Sequence, residues 1–252
     1  MARPRESIKA YGDRLDDGAV QLSFTLPVAA SPRARAAARL YAEQLGLEKV
    51  LVAHMEACGD GFSYFVVYGA SRAAVDFDAI DVPVVETHDL SMEEVGDVVK
   101  RELGGKVVVV GACTGSDAHT VGIDAILNMK GYAGDYGLER YAGFEVHNLG
   151  AQIDNSELVR RALEVGAHAV LLSQVVTQRD CHKENAAAFM KELVATGRRG
   201  ELLALFGGPR VDHALALALG FDAGFGTGTR PSEVANYIVG ELRRRRGGKE
   251  RP

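Results

Sequence analysis

The chain has 252 residues, 47% of them hydrophobic and 25% charged, with a formal net charge of −5. That length leaves room for one large or two small domains with a sizeable core, and the composition is that of a soluble globular protein. The acidic balance argues against a general nucleic-acid binder, and no apolar run reaches the length of a membrane span.

The opening MARPRES has no apolar core of a signal peptide, so no secretory signal is expected. Cys58, Cys113 and Cys181 are odd in number and lack Cys-x-x-Cys spacing. They fit a reducing, cytoplasmic setting without structural zinc.

Residues 1–104 read as a small α/β domain. Val20 to Leu26 alternates as a half-buried strand, and Pro32 to Leu45 has the content and spacing of an amphipathic helix behind Ser31 as N-cap. Lys49 to His54 and Phe62 to Tyr68 read as strands around a Gly59-Asp60-Gly61 turn, and Pro83 to Thr87 as a further strand. Leu90 to Glu102 reads as a helix opened by a Ser91–Glu94 capping box. Gly104-Gly105 marks the boundary. His54 and His88 read as structural.

Residues 105–252 alternate strand and helix. The strands are Val107–Val110, Phe144–Asn148, Ala169–Ser173, Leu202–Phe206 and Ala223–Phe225. The helices are Val121–Met129, Asn155–Gly166, Glu184–Gly197, Val211–Leu219 and Pro231–Arg245. Five βα units with right-handed crossovers predict a flavodoxin-like (Rossmann-type) doubly wound parallel sheet of order 2-1-3-4-5. The basic tail, Arg243 to Arg246 with Lys249 and Arg251, reads as a solvated helix end.

The polar signals gather where this fold binds ligands. Asp117 and His119 follow the first strand of the sheet, Ser173 closes the third, Gly207-Gly208 follows the fourth, and Gly226-Thr227-Gly228 follows the fifth. All fall at the carboxyl edge, near the switch point. A neutral imidazole is a good metal ligand. A carboxylate two residues earlier can accept from its other ring nitrogen, fixing the tautomer. Gly122 lets a large flat ligand approach the backbone. By residue type alone, Lys130 reads as a solvated cation near a helix end.

The stretch 106–134 resembles the cobalamin-binding signature of base-off/His-on B12 enzymes: Asp-x-His-x-x-Gly, then Ser-x-Leu, then Gly-Gly. Here these are Asp117-Ala118-His119-Thr120-Val121-Gly122, Ser173-Gln174-Val175 and Gly207-Gly208, with Val175 where the family has leucine. The interval from Gly122 to Ser173 is longer than the family's usual one and contains Lys130. With AYGDRLDDGAVQLSFTLP at 10–27, FVVYG at 65–69 and DAHTVGIDAILNMKGYAGDYGLERY at 117–141, the chain looks like the family of lysine 5,6-aminomutase β subunits over nearly its whole length.

The resemblance implies two cofactors, adenosylcobalamin and pyridoxal 5′-phosphate. His119 would be the lower ligand of cobalt, replacing dimethylbenzimidazole, with Asp117 behind it and Ala118 and Thr120 beside it. Gly122, Ser173, Val175, Gly207, Gly208, Gly226, Thr227 and Gly228 would wall the pocket for the nucleotide tail. Lys130 would hold pyridoxal phosphate as a Schiff base. The first 104 residues would be a dimerisation domain. The implied activity is radical migration of the terminal amine of D-lysine or L-β-lysine to the adjacent carbon. Too little chain remains for the closed barrel such chemistry needs. The reading therefore includes a larger barrel-fold α subunit in an α2β2 assembly, and neither nucleic acid nor membrane. A component of D-ornithine 4,5-aminomutase, and a corrinoid carrier or sensor without pyridoxal phosphate, are the alternatives.

Overall fold

The computed structural model describes residues 7–87 and 89–249. His88, residues 1–6, Arg251 and the side chain of Lys249 lie outside the description. The chain forms two compact units, 1–81 and 82–252, dividing ahead of the sequence-based boundary at 104/105.

The first unit is a three-stranded antiparallel sheet, β1 (Ala19–Leu26), β2 (Leu47–Ala57) and β3 (Ser63–Ser71), in the order β1-β3-β2. One helix, α1 (Pro32–Gln44), covers one face. Its buried stripe is Ala34, Ala38 and Ala42, small enough to bring the helix close to Phe65, Val67 and the inward Val20, Leu22 and Phe24 of β1. Ser31 caps α1 by accepting from the Ala34 N–H at 3.1 Å, and Pro32 begins it. Among the described residues, Pro83–Thr87 pairs with nothing as a strand. Proline supplies no N–H to a ladder, and Val85 packs on the core of the second unit instead.

The second unit begins with α2 (Met92–Glu102), where the Ser91–Glu94 capping box is present in full. Five parallel strands follow: β4 (Val107–Cys113), β5 (Phe144–Asn148), β6 (Ala169–Ser173), β7 (Leu203–Gly207) and β8 (Ala223–Phe225). Their order is β5-β4-β6-β7-β8, the predicted 2-1-3-4-5. The remaining helices are α3 (Val121–Leu127), α4 (Asn155–Glu164), α5 (Cys181–Ala195), α6 (His213–Ala218) and α7 (Pro231–Lys249).

Strand alternation divides the core in two. Val107, Val109, Leu171 and Leu205 face α2, α3 and α7. Val110, Ala112, Leu172 and Phe206 face α4, α5 and α6. Each such fully buried aliphatic or aromatic side chain contributes about 1.5–3 kcal/mol. At the amino-terminal edge, the His168 ring takes part in the ladder: its Nδ1 accepts the Val108 N–H at 3.0 Å. Among the described residues no helix is long and apolar enough to cross a membrane.

The register sets up the opposite edge. Cys113 pairs with Ser173, Ser173 with Gly207, and Gly207 with Phe225. The last rung of the sheet is thus Cys113, Ser173, Gly207 and Phe225. Its period-2 position puts these residues on the α3/α7 side, where two of them carry no bulky side chain.

Candidate functional site

The loop from β4 to α3 is pinned along its length. The Cys113 Sγ–H donates to the His119 carbonyl at 3.0 Å. The Gln174 side-chain amide donates to the Thr114 carbonyl, and the Asn185 amide to the Thr114 hydroxyl. Gly115 N–H donates to Ile153 O, and Gln152 N–H to Asp117 O. Burial pushes the Cys113 thiol up to about 11, so it stays a neutral donor at neutral pH.

Asp117 is the centre of this loop. Its side chain is 1% exposed, whereas that of His119 is 59% exposed. Oδ1 accepts the backbone N–H of His119 at 3.0 Å and meets the His119 Nδ1, also at 3.0 Å. Oδ2 accepts the backbone N–H groups of Val175 and Val176, beyond β6. Burial opposes the charge on Asp117. The N–H donors of His119, Val176 and Val175 outweigh it and hold the carboxyl below its usual range. A neutral imidazole donating from Nδ1 leaves the Nε2 lone pair directed away from the protein. The result is an aimed, accessible nitrogen ligand on a buried anionic mount. Among the described residues there is no group of three or more His, Cys, Asp or Glu able to hold a metal ion. A single imidazole suits a metal that arrives with its other ligands already in a macrocycle.

Beside it, between α3 and the ends of β6, β7 and β8, lies a cavity of about 370 Å³. Gly122, Ser173, Val175, Gly207, Gly208, Gly226, Thr227 and Gly228 all line it. Two of the glycines are sterically required and a third is closely packed. A Cβ on Gly122 would approach the Ser173 Oγ to 3.3 Å, one on Gly226 would meet Val211 O at 2.8 Å, and one on Gly208 would meet Gln174 O at 2.1 Å. The walls are largely apolar, with Ile126, Leu171, Leu205 and Phe225 among them. Ser173 Oγ is a polar atom at the narrow side, next to Gly122. Such a slot accepts a flat heterocycle with one hydrogen-bonding edge. Asp117, Ala118, His119, Thr120 and Lys130 do not line it. The first four form the loop above, with Thr120 as N-cap residue of α3.

Lys130 stands apart. Helix α3 ends at Leu127, two residues short of the predicted Met129, because the chain turns at Asn128. The following segment is a hairpin braced by backbone hydrogen bonds. Gly131 N–H donates to Asn128 O, and Tyr132 and Asp135 exchange both backbone hydrogen bonds. Met129 N–H donates to the Glu139 carboxylate at 2.9 Å. Gly131 has φ +67°, and a Cβ there would overlap Asp135 O at 1.9 Å. The backbone on both sides of Lys130 is therefore fixed, while its side chain is exposed.

Sequence reasoning missed Tyr132, Ile126, Pro209 and Phe225 as cavity residues. Phe225 was within reach, because the parallel register puts it on the rung of Ser173 and Gly207. Nothing in the sequence marks Tyr132.

Comparison with known proteins follows this division. Residues 7–84 match the dimerisation domain of D-ornithine 4,5-aminomutase, and residues 107–235 match the B12 binding domain. The chain is 47% identical to the lysine 5,6-aminomutase beta subunit of Fusobacterium nucleatum, over 93% of this chain and 89% of that protein. It is 46% identical to that of Acetoanaerobium sticklandii, over 94% and 90%. It is 30% identical to the D-ornithine 4,5-aminomutase subunit beta of A. sticklandii, over 92% of this chain but 30% of that protein.

Proposed function

The chain belongs to the family of lysine 5,6-aminomutase β subunits and carries a B12-binding domain, and from that premise we propose that it is the cobalamin-holding subunit of an isomerase moving the terminal amine of D-lysine or L-β-lysine to the adjacent carbon. Adenosylcobalamin and pyridoxal phosphate are its cofactors in this reading. A larger barrel-fold α subunit completes the substrate site, in an α2β2 assembly. The N-terminal unit, matching a dimerisation domain, supports self-association.

The observation that carries the reading is the Asp117–His119 pair on the loop that runs into Val121 and Gly122 of the cavity wall. The residues fit cobalamin: one imidazole for a cobalt already held by a corrin, and an apolar slot beside it lined by glycines and by Ser173. The fit to pyridoxal phosphate is narrower. This chain offers an accessible primary amine on a fixed backbone, and the α subunit supplies the contacts to phosphate and ring.

Each residue then has a task. His119 Nε2 would supply the protein's nitrogen ligand to cobalt, and Asp117 holds the ring through its Nδ1. The contact with the buried carboxylate holds the ring in one orientation. Ser173 Oγ would offer a hydrogen bond to the tail's heterocycle, and Gly122 beside it would leave room for the ring to approach the backbone. Lys130 Nζ would be the primary amine that this chain offers to the aldehyde of pyridoxal phosphate. When bound, adenosylcobalamin supplies a homolytically weak cobalt–carbon bond and pyridoxal phosphate supplies the carbonyl that holds the migrating amine.

Two measurements test this. In the Co(II) state, electron paramagnetic resonance of protein labelled with ¹⁵N-histidine is expected to show the splitting of a protein imidazole on cobalt. Borohydride reduction after incubation with pyridoxal phosphate and the α subunit is expected to label Lys130 stoichiometrically. Histidine splitting without the label would leave a corrinoid carrier or sensor. The 30% likeness to the ornithine enzyme, against 46–47% to the lysine enzymes, favours lysine over ornithine.

A further inference from the structure

The Lys130 hairpin and the tail cavity share a wall. Tyr132 is the second residue after Lys130, within roughly 7 Å of chain, and it lines the cavity opposite the glycine edge of the sheet. The hairpin is held in that place from the other side. The Ser232 hydroxyl donates to the Asp135 carboxylate, and Ser232 lies in the first turn of α7. The loop leading into that turn, Gly226 to Thr229, is itself cavity lining. The same arm of the hairpin therefore presents Lys130 to the outside and, two residues on, Tyr132 to the slot. Tyr132 is 48% exposed, so a ligand filling the slot has ring surface left to cover.

We infer that Tyr132 is a specificity-determining residue of the cavity, and that the Asp135–Ser232 link makes it a positioning residue for Lys130. Tyr132 stacks on a nucleotide tail and distinguishes a corrinoid that has one from a corrinoid that lacks one. Stacking on Tyr132 removes freedom from Gly131, the one residue between it and Lys130. The tail thereby restricts the tether of the second cofactor before the α subunit is engaged. Linkage requires the reverse as well: immobilising the hairpin must favour the tailed corrinoid. The chemistry recognised is a planar aromatic base on a flexible phosphoribosyl arm. This inference rests on the proposed cobalamin site and extends it to a residue outside the family's signature.

The test uses the full-length chain with two probes, cobalamin and cobinamide, which lacks the nucleotide tail. Amide hydrogen exchange is followed for residues 131–137, and corrinoid binding by absorbance. Cobalamin is expected to slow exchange at the Tyr132 and Asp135 amides about tenfold more than cobinamide does. Tyr132→Ala is expected to remove that difference and weaken cobalamin about tenfold with cobinamide affinity unchanged, and Tyr132→Phe to restore both. Ser232→Ala is expected to keep the preference for cobalamin but lose most of the protection. Equal protection by both probes, with histidine-ligated cobalt in each, would overturn the inference and leave the cobalamin site standing. Failure of cobalamin to bind at all would overturn the site and this inference together.

Discussion

His119 and Lys130 are eleven residues apart, both exposed, and supported in opposite ways. The His119 ring is gripped by a buried carboxylate that also holds the next loop of the sheet. Around Lys130 the grip is on the backbone, through Asn128, Glu139 and the Tyr132–Asp135 bridge. The difference suits the proposed roles: a metal ligand has to be aimed by its side chain, whereas a tether reaching a partner's site needs a fixed root and a free side chain.

The comparison can be broken at either end. The largest effect is expected at the tether. Lys130→Ala should abolish borohydride-stable labelling by pyridoxal phosphate in the assembled enzyme and leave cobalamin affinity of this chain within about twofold. A labelled peptide elsewhere at full stoichiometry would dismiss Lys130 as the anchor. Next comes the mount. Asp117→Asn turns an NH₂ toward N–H groups that a carboxylate had satisfied, and removes the charge behind the ring. Cobalamin affinity should fall about 10–100-fold, as for other residues that orient metal ligands, with roughly 1–3 kcal/mol lost in stability. The carboxyl is held below its ordinary 3.8 when folded. Its contribution is therefore complete above that value and disappears as pH falls below it. A denaturation series in acid should show that loss in the wild-type chain and not in Asp117→Asn. Smaller still is Ser173→Ala, which removes one hydrogen bond of about 1 kcal/mol. It should weaken cobalamin about fivefold and leave cobinamide unaffected.

Much of this architecture is legible in the residues alone. Apolar β-branched runs between helix-length intervals point to five parallel strands in the observed order, because a buried strand has few other sequences open to it. Asp117 and His119 are near neighbours in sequence, so their pairing is readable from spacing. The two N–H groups that complete the Asp117 shell belong to residues 58 and 59 positions away, and their backbone carries no side-chain signal. The hairpin after Lys130 is equally hidden. Its turn is Ala133-Gly134, with Ala133 at φ +53° instead of the Asn or Asp that usually announces such a turn. The spacing puts the start of α5 at Glu184, but the helix begins at Cys181, behind Arg179 and Asp180, both left-handed. Propensity does not anticipate two such non-glycine residues in succession.

The ring of His168, a rung of the ladder at the edge opposite the cofactor, bears on how the protein meets acid. Its Nδ1 can accept the Val108 N–H only while unprotonated. Burial, and then the cations Arg246 and Lys106, hold its pKa below the ordinary 6.5. The folded sheet thus prefers the uncharged ring. That preference stabilises the fold above about pH 6.5 and fades as pH falls through the depressed value. Protonation would turn an acceptor into a second donor facing Val108, and the sheet would fray from its amino-terminal edge. Saturating corrinoid, bound at the other edge, would raise the melting point without moving that acid limb of the stability curve, and His168→Gln would shift it.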